Sequence, residues 1–248
     1  MKNHNEIFSV IMPAYNAEKT IYESISSVLK QTFTHLRLYI INDNSTDNTA
    51  NIIKSFNDSR IIYKENEINL GVARTRNIGI ELAQGQFISF LDADDIWESS
   101  KLEKQAIAFD NGWSIVCSNF TPFKDDGISF SERVSSDVIT YKDMLKTNLI
   151  GNLTGAYDAK ILGKVFQKNK GHEDYIMWLD LIKRASNAYC IQESLAYYRI
   201  SSNSLSANKF RAIRWQWNIY RTEENLSFWS SILYFLYYIT SAIKKRAG

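Results

Sequence analysis

The chain has 248 residues, of which 45% are apolar and 23% charged, enough for one large domain or two small ones around a continuous core. Ten glycines and two prolines exclude a collagen-like fibre, and the apolar content excludes disorder as the main state. A formal net charge of +2 is too balanced for a protein that grips nucleic acid through a basic surface, so no nucleic-acid partner is expected.

Residues 1–6 are polar, with no basic-then-apolar leader, which points to a cytoplasmic protein. Residues 8–12 form a short apolar run closed by Pro13, the pattern of a buried parallel strand. Ile21, Ile25, Val28 and Leu29 recur at helical spacing within residues 17–31. Residues 38–41 read as a second strand and 47–56 as a helix capped by Ser45 or Thr46. A third strand at 61–63 and a turn at Asn69-Leu70-Gly71 lead into a helix that runs to about Ala83. Gly85 closes that helix and 87–91 is a fourth strand, which enters Asp92-Ala93-Asp94-Asp95. A helix at 97–109 and a strand at 115–117 follow. Strands alternating with helices at this spacing predict an open, mostly parallel α/β sheet.

Further on, 121–136 is polar and reads as a loop, 174–188 as a helix and 195–200 as a late strand. Helices are expected at 207–221 and 226–243. Cys117 and Cys190 offer neither a disulfide framework nor zinc spacing, and both lie in apolar runs, so they read as reduced core residues. Residues 207–248 hold seven basic and two acidic side chains, a net +5, leaving −3 on residues 1–206. That shift, together with Trp215, Trp217, Trp229, Tyr234, Phe235, Tyr237 and Tyr238, sets a boundary near Ser206. The expected organisation is a catalytic domain over 1–206, with a nucleotide-sugar-binding half (1–110) and an acceptor-binding half (111–206), and a basic, aromatic-rich helical tail over 207–248.

In an open parallel sheet the ligand crevice lies beyond the carboxyl ends of the strands. Those ends carry Pro13-Ala14-Tyr15-Asn16, Asn42-Asp43-Asn44-Ser45 and Asp92-Ala93-Asp94-Asp95. Each has a plain structural reading: Asp43 as a turn cap, the acidic run as the cap of the next helix. Their appearance at successive strand ends favours a site. Asp92 and Asp94, two apart, point the same way in extended chain, and Mg²⁺ or Mn²⁺ takes one or two carboxylates plus phosphate and water. Neither G-x-G-x-x-G nor G-x-x-x-x-G-K-[ST] is present, so a diphosphate held through metal and arginine remains, with Arg74 and Arg76 at hand.

The ordered series Val10-Ile11-Met12-Pro13-Ala14-Tyr15-Asn16, Ile41-Asn42-Asp43-Asn44-Ser45-Thr46-Asp47, Ala73-Arg74-Thr75-Arg76-Asn77-Ile78-Gly79 and Phe90-Leu91-Asp92-Ala93-Asp94-Asp95 resembles the family 2 glycosyltransferases of GT-A fold. The resemblance is close over about 7–110 and resumes at His172-Glu173-Asp174 with Trp178 and at Tyr198-Arg199. It implies a Rossmann-like sheet flanked by helices and an inverting hexosyltransferase that takes one sugar from a nucleotide-diphosphate sugar, most simply a UDP-sugar. The implied acceptor is a saccharide or lipid-linked saccharide, as in polysaccharide biosynthesis. By the same resemblance Pro13, Tyr15 and Asp43 hold uracil and ribose, and Arg76-Asn77 approach the diphosphate. Asp92-Ala93-Asp94 is the D-x-D motif, with either Asp94 or Asp95 as the direct ligand of Mn²⁺ or Mg²⁺. Glu173 and Asp174 form the acidic pair, and Asp174 is the general base.

Two positions depart from the family pattern: Asn42 stands where a second acid is common, and Ser201 where a histidine follows the arginine. The Q-x-x-R-W signature of processive synthases is missing, since Gln216 follows Arg214-Trp215, so single-sugar addition is expected. A nucleotidyltransferase is disfavoured because Ala14-Tyr15-Asn16-Ala17-Glu18 lacks a basic glycine loop. The alternative to a transferase is a catalytically inactive nucleotide- or glycan-binding module of the same fold. Residues 226–243 are uncharged but broken by serines and threonines, at the lower limit for crossing a bilayer. With Lys244-Lys245-Arg246 behind it, this segment is expected to lie on an anionic membrane on the inner face of the cell; packing on the catalytic domain or a homodimer contact is its other use.

Overall fold

Strand β1, Phe8–Ala14, is buried at every position, and a strand apolar on both faces must sit between two helical layers. The computed structural model describes residues 8–200 and 209–247. In it β1 pairs in parallel with β2 (Leu36–Asn42) on one side and with β4 (Phe87–Phe90) on the other, and β3 (Ile61–Glu65) pairs in parallel with β2. The crossovers are helices α1 (Ile21–Leu29), α2 (Thr49–Lys54) and α3 (Val72–Leu82). The register sets Ala14 beside Asn42 and Asn42 beside Glu65, so the loops after β1, β2 and β3 leave the sheet along one edge.

The second half follows a different plan. After β5 (Ile96–Trp97) and α4 (Lys101–Asp110) comes β6 (Ile115–Phe123), then β7 (Val138–Thr140), α5 (Tyr141–Lys146), β8 (Ala156–Asp158), α6 (Ala159–Leu162), α7 (Glu173–Ala185) and β9 (Asn187–Arg199). Among the described residues the nine strands form one sheet in the order β3-β2-β1-β4-β8-β6-β9-β5, with β7 also on β9. β8 is antiparallel to both β4 and β6, whereas β9 is parallel to β6, with register shifts at Ser118/Asn119 and Asn119/Thr121. The sheet is therefore parallel through its first half and mixed through its second.

Several boundaries differ from the sequence reading. The helix expected at 97–109 starts at Lys101, because Trp97 pairs with Ala196 as part of β5. The helix expected at 47–56 is Thr49–Lys54, with Asn48 rather than Ser45 or Thr46 at its N-cap. Thr121 to Phe123 belong to β6, and isolated bridges Phe120–Arg133 and Phe123–Ser129 fold the rest of the supposed loop back as a hairpin. The late strand at 195–200 is the far end of β9, whose first half begins as soon as α7 ends at Ala185, where Ser186 adopts φ 71°. The contrast at Ser201 and the boundary near Ser206 lie outside the described residues.

Side chains alternate between two cores. Ile11, Tyr39 and Phe90 face α3, α5 and α7, while Val10, Met12 and Ile40 face α1 and α4. Close approach is needed at Gly155, where a Cβ would run into the Trp178 ring. Helix α8 (Lys209–Asn218), a π-helical turn (Ile219–Glu223) and α9 (Phe228–Ala247) complete the chain. They share the first of those cores: Ile219 and Tyr220 are buried in it, and the Tyr220 hydroxyl donates to Leu145 O at 2.6 Å. Lys168 and Lys170 pair with Glu223 at 2.6 Å each, and Lys183 with Glu224 at 3.0 Å.

Candidate active site

Parallel pairing brings the turns after β1 and β2 together, and polar side chains lace them. Asn16 N donates to Ser45 Oγ at 3.0 Å, and Thr46 N donates to Asn16 Oδ1 at 2.9 Å. Pro13 is buried at the end of β1, whereas Tyr15 just beyond it is 52% exposed. Asp43 is buried: its Oδ1 accepts from Asn66 Nδ2 at 2.8 Å and Leu70 N at 2.9 Å, its Oδ2 from Gly71 N at 2.9 Å. Burial alone would raise its pKa, but these donors outweigh burial and hold it below the usual carboxylate range. Asp43 thus fixes the Asn69–Gly71 turn that starts α3.

From α3, Arg76 reaches Asp92, with Nη2 at 2.6 and 2.7 Å from its two oxygens, and Nη1 donates to Gln167 Oε1 at 3.2 Å. Asn77 clasps the Gln167 backbone, donating to its carbonyl at 2.8 Å and accepting from its N–H at 2.7 Å. Both side chains have protein partners; only Arg76 Nε is left buried without one.

After β4 three carboxylates crowd together around the buried Ala93. Burial, then the charge of Asp92, pushes Asp94 up to about 6. Asp95, 2% exposed, is pushed well up by burial and by Asp94 and Asp92, although its Oδ1 accepts from Arg199 N at 2.9 Å. Among the described residues no three His, Cys, Asp or Glu side chains are arranged to enclose a metal ion by themselves. Still, Asp94 and the Arg76-paired Asp92 beside it offer hard oxygen donors, a set that fits Mg²⁺ or Mn²⁺ completed by a diphosphate.

Glu173 and Asp174 open α7, and the fold carries them across to this cluster, where Arg76 feels the charges of Asp92, Asp174 and Glu173. Burial raises the Asp174 pKa while Arg76 opposes the rise. The sites expected from the sequence are thus gathered at one edge: the β1 and β2 turns on one side, the acidic run at the centre, Glu173-Asp174 opposite.

A model of the family described as Glycosyl transferase family 2 matches residues 9–161. The chain belongs to that family. It is 38% identical, over 99% of its length and all of the relative's, to a putative teichuronic acid biosynthesis glycosyltransferase, TuaG, of Bacillus subtilis. It is 39% identical, over 97% of its length and 95% of the relative's, to WfgD of Escherichia coli, a UDP-Glc:alpha-D-GlcNAc-diphosphoundecaprenol beta-1,3-glucosyltransferase. The S. aureus TarS 1-349 structure in complex with UDP-GlcNAc superposes with a TM-score of 0.74 at 21% identity, covering 94% of this chain and 71% of that one. A Pyrobaculum calidifontis mannosyltransferase in complex with GDP-Man and Mn²⁺ gives 0.69 at 15% identity, covering 98% and 74%. The protein is a glycosyltransferase of GT-A fold.

Some contributors to this candidate site carry no sequence signal. Gln167 holds Arg76 and Asn77 from a stretch without periodicity. Glu23 looks like a solvent-facing acid of α1, yet it pairs with Arg199 Nη2 at 2.7 Å. Arg199 also donates from Nε to Asp94 O at 2.7 Å and pairs with Asp125 of the hairpin, so one buried guanidinium ties α1, the acidic run and the hairpin. Tyr198 beside it has its hydroxyl pushed up to about 12 by burial and by the charges of Asp95, Asp94, Asp92 and Asp174.

Proposed function

We propose that the protein is an inverting glycosyltransferase that moves one sugar from a UDP-sugar to a lipid-linked saccharide, with a divalent cation on the donor side and Asp174 as general base. The observation that carries this reading is the placement of Asp92 and Asp174 about the shared Arg76: an acidic strand end for the donor, and a second carboxylate facing it. A bound Mg²⁺ or Mn²⁺ would be held by Asp94, with Asp95 as the alternative ligand, and would offset charge on the departing diphosphate. In the reaction the acceptor hydroxyl attacks the anomeric carbon, the carbon–oxygen bond to the diphosphate breaks, and UDP leaves with the electron pair. The hydroxyl proton passes to the Asp174 carboxylate, which burial makes a stronger base than an ordinary aspartate. No covalent nucleophile is required.

Pro13, Tyr15 and Asp43 are assigned to the uracil and ribose, Arg76-Asn77 and Asp92-Ala93-Asp94 to the diphosphate side, and Glu173 to shaping the acceptor pocket. The lipid-linked acceptor is supported by the diphosphoundecaprenol substrate in the name of the relative WfgD. It agrees with α9, whose outward face exposes Trp229, Leu233, Leu236 and Tyr237 and which we assign to an anionic membrane surface. Among the described residues no helix is long and apolar enough to cross a membrane. The deciding experiment is Mn²⁺-dependent binding of UDP together with slow hydrolysis of a panel of UDP-sugars. Metal-dependent binding without any turnover, even with lipid-linked acceptors supplied, favours the inactive binding module instead.

A further inference from the structure

Two consecutive residues ahead of Glu173-Asp174 adopt the left-handed conformation: Gly171 at φ 78° and His172 at φ 53°. For a residue with a Cβ that conformation is costly and persists only where the surroundings enforce it. His172 is the N-cap of α7, yet its side chain makes no capping hydrogen bond, and its Nε2 is buried without a partner. What enforces the bend comes from the far end of the chain. A Cβ on Gly171 would overlap the indole ring of Trp215, and the His172 ring stands edge-on to the same indole, centroids 5.5 Å apart at 81°. Lys168 and Lys170, just before the bend, are pinned to Glu223 of the π-helical turn. The first turn of α7 then closes through Ile176 N to His172 O at 3.1 Å.

We infer that Trp215 is a positioning residue for transfer: its indole is the wall against which Gly171 and His172 bend, and that bend aims Asp174 across the site. The tail that carries the membrane-facing helix thereby also completes the catalytic edge. This inference rests on Asp174 being the base, and the test separates the two claims.

Hydrogen exchange of the full chain and Mn²⁺-dependent hydrolysis of UDP-glucose, with UDP-GlcNAc in parallel, are measured for Trp215→Ala, Trp215→Phe, Gly171→Ala and Asp174→Asn. Trp217→Ala is the control, since Trp217 packs against Phe228 and Phe235 within the tail. Trp215→Ala should speed exchange over residues 171–176 and lower kcat about 10²-fold, the scale of a displacement near 1 Å, with UDP affinity unchanged. Trp215→Phe should recover most of the loss, Gly171→Ala should reproduce it from the other side of the contact, and Trp217→Ala should keep both readouts near the parent. Unchanged exchange at 171–176 in both Trp215→Ala and Gly171→Ala overturns the inference, as does faster exchange with full turnover. Full turnover by Asp174→Asn removes the base assignment on its own, leaving the exchange result to judge the buttress.

Discussion

Between Phe8 and Phe90 the sheet grows by parallel crossovers, each strand laid beside one already placed, whereas from Ile115 to Arg199 it grows by insertion and reversal. β8 wedges antiparallel between β4 and β6, and β9 spans three neighbours along its 13 residues. The first plan sends successive loops to one edge by rule, so the donor-side groups cluster as soon as the strands pair. The second plan imposes no such rule. Glu173-Asp174 reach the same edge only because α7 packs under the sheet and its first turn is bent into place. One half of the site is thus fixed by topology, the other by packing, and the two halves should respond differently to mutation.

The largest expected effect lies in the half set by topology. Asp94→Ala should abolish turnover while leaving the melting temperature close to the parent, because a cation on the diphosphate is worth several kcal/mol of transition-state stabilisation. Activity that survives excess chelator would sink the metal assignment and leave the acidic run as a capping feature.

Asp174→Asn probes the half set by packing. It keeps the shape and removes the basicity, so kcat should drop by about 10²–10⁴-fold with UDP binding retained. Because burial raises the Asp174 pKa and only the deprotonated form accepts a proton, parent turnover should decline with falling pH, beginning above the ordinary carboxylate range. That part of the acid limb should be lost from the residual activity of the variant, leaving the part set by Asp94, whose carboxyl is itself pushed up to about 6. A product of retained anomeric configuration would contradict the inverting scheme.

Asp43→Ala should have a smaller effect, weakening UDP binding by about 1.5–3 kcal/mol if its carboxylate accepts the uracil N–H. It also strips the Leu70 and Gly71 N–H groups of their acceptor, so the variant should melt lower. The folded pKa lies below the ordinary aspartate value, so this stabilisation is full above that value and lost as pH falls through the folded pKa. The melting gap between parent and variant should therefore close in strong acid. Undiminished UDP affinity alongside a lowered melting point would reassign Asp43 to the turn alone.

This contrast also explains what could be read in advance. The first four strands were legible because each is a short apolar run bounded by a turn, and the motif residues follow directly at their ends. β8 was not, since three residues flanked by glycine and a short helix carry no periodicity, and its place between β4 and β6 is set by pairing alone. Gln167, Glu23 and Asp125 escaped for the same reason: each acts through a partner 74 to 176 residues away, and none stands in a motif. Glu173-Asp174 stand in a motif the sequence displays, but the bend just ahead of them was not legible, because Gly171 and Trp215 meet only in the folded chain.

The smallest expected effect concerns the two faces of α9. Its inner side, with Ser231, Tyr234 and Phe235, packs against the core, so that side is accounted for by folding. Its outer side exposes Trp229 at 77% and Leu236 at 56%, with Leu233 and Tyr237 beside them, a stripe at helical spacing with no charge among residues 226–243. Lys244, Lys245 and Arg246 follow in the sequence, and each basic residue near an anionic surface adds about 1 kcal/mol of attraction. The full chain should therefore float with vesicles rich in anionic lipid, less with neutral ones, and less still as salt is raised. Trp229→Ser with Leu233→Ser should weaken flotation several-fold while leaving the melting temperature and UDP affinity untouched, because neither side chain belongs to the core or the site. Retention of the parent in the unbound fraction with anionic vesicles would leave that stripe as a surface without a membrane role.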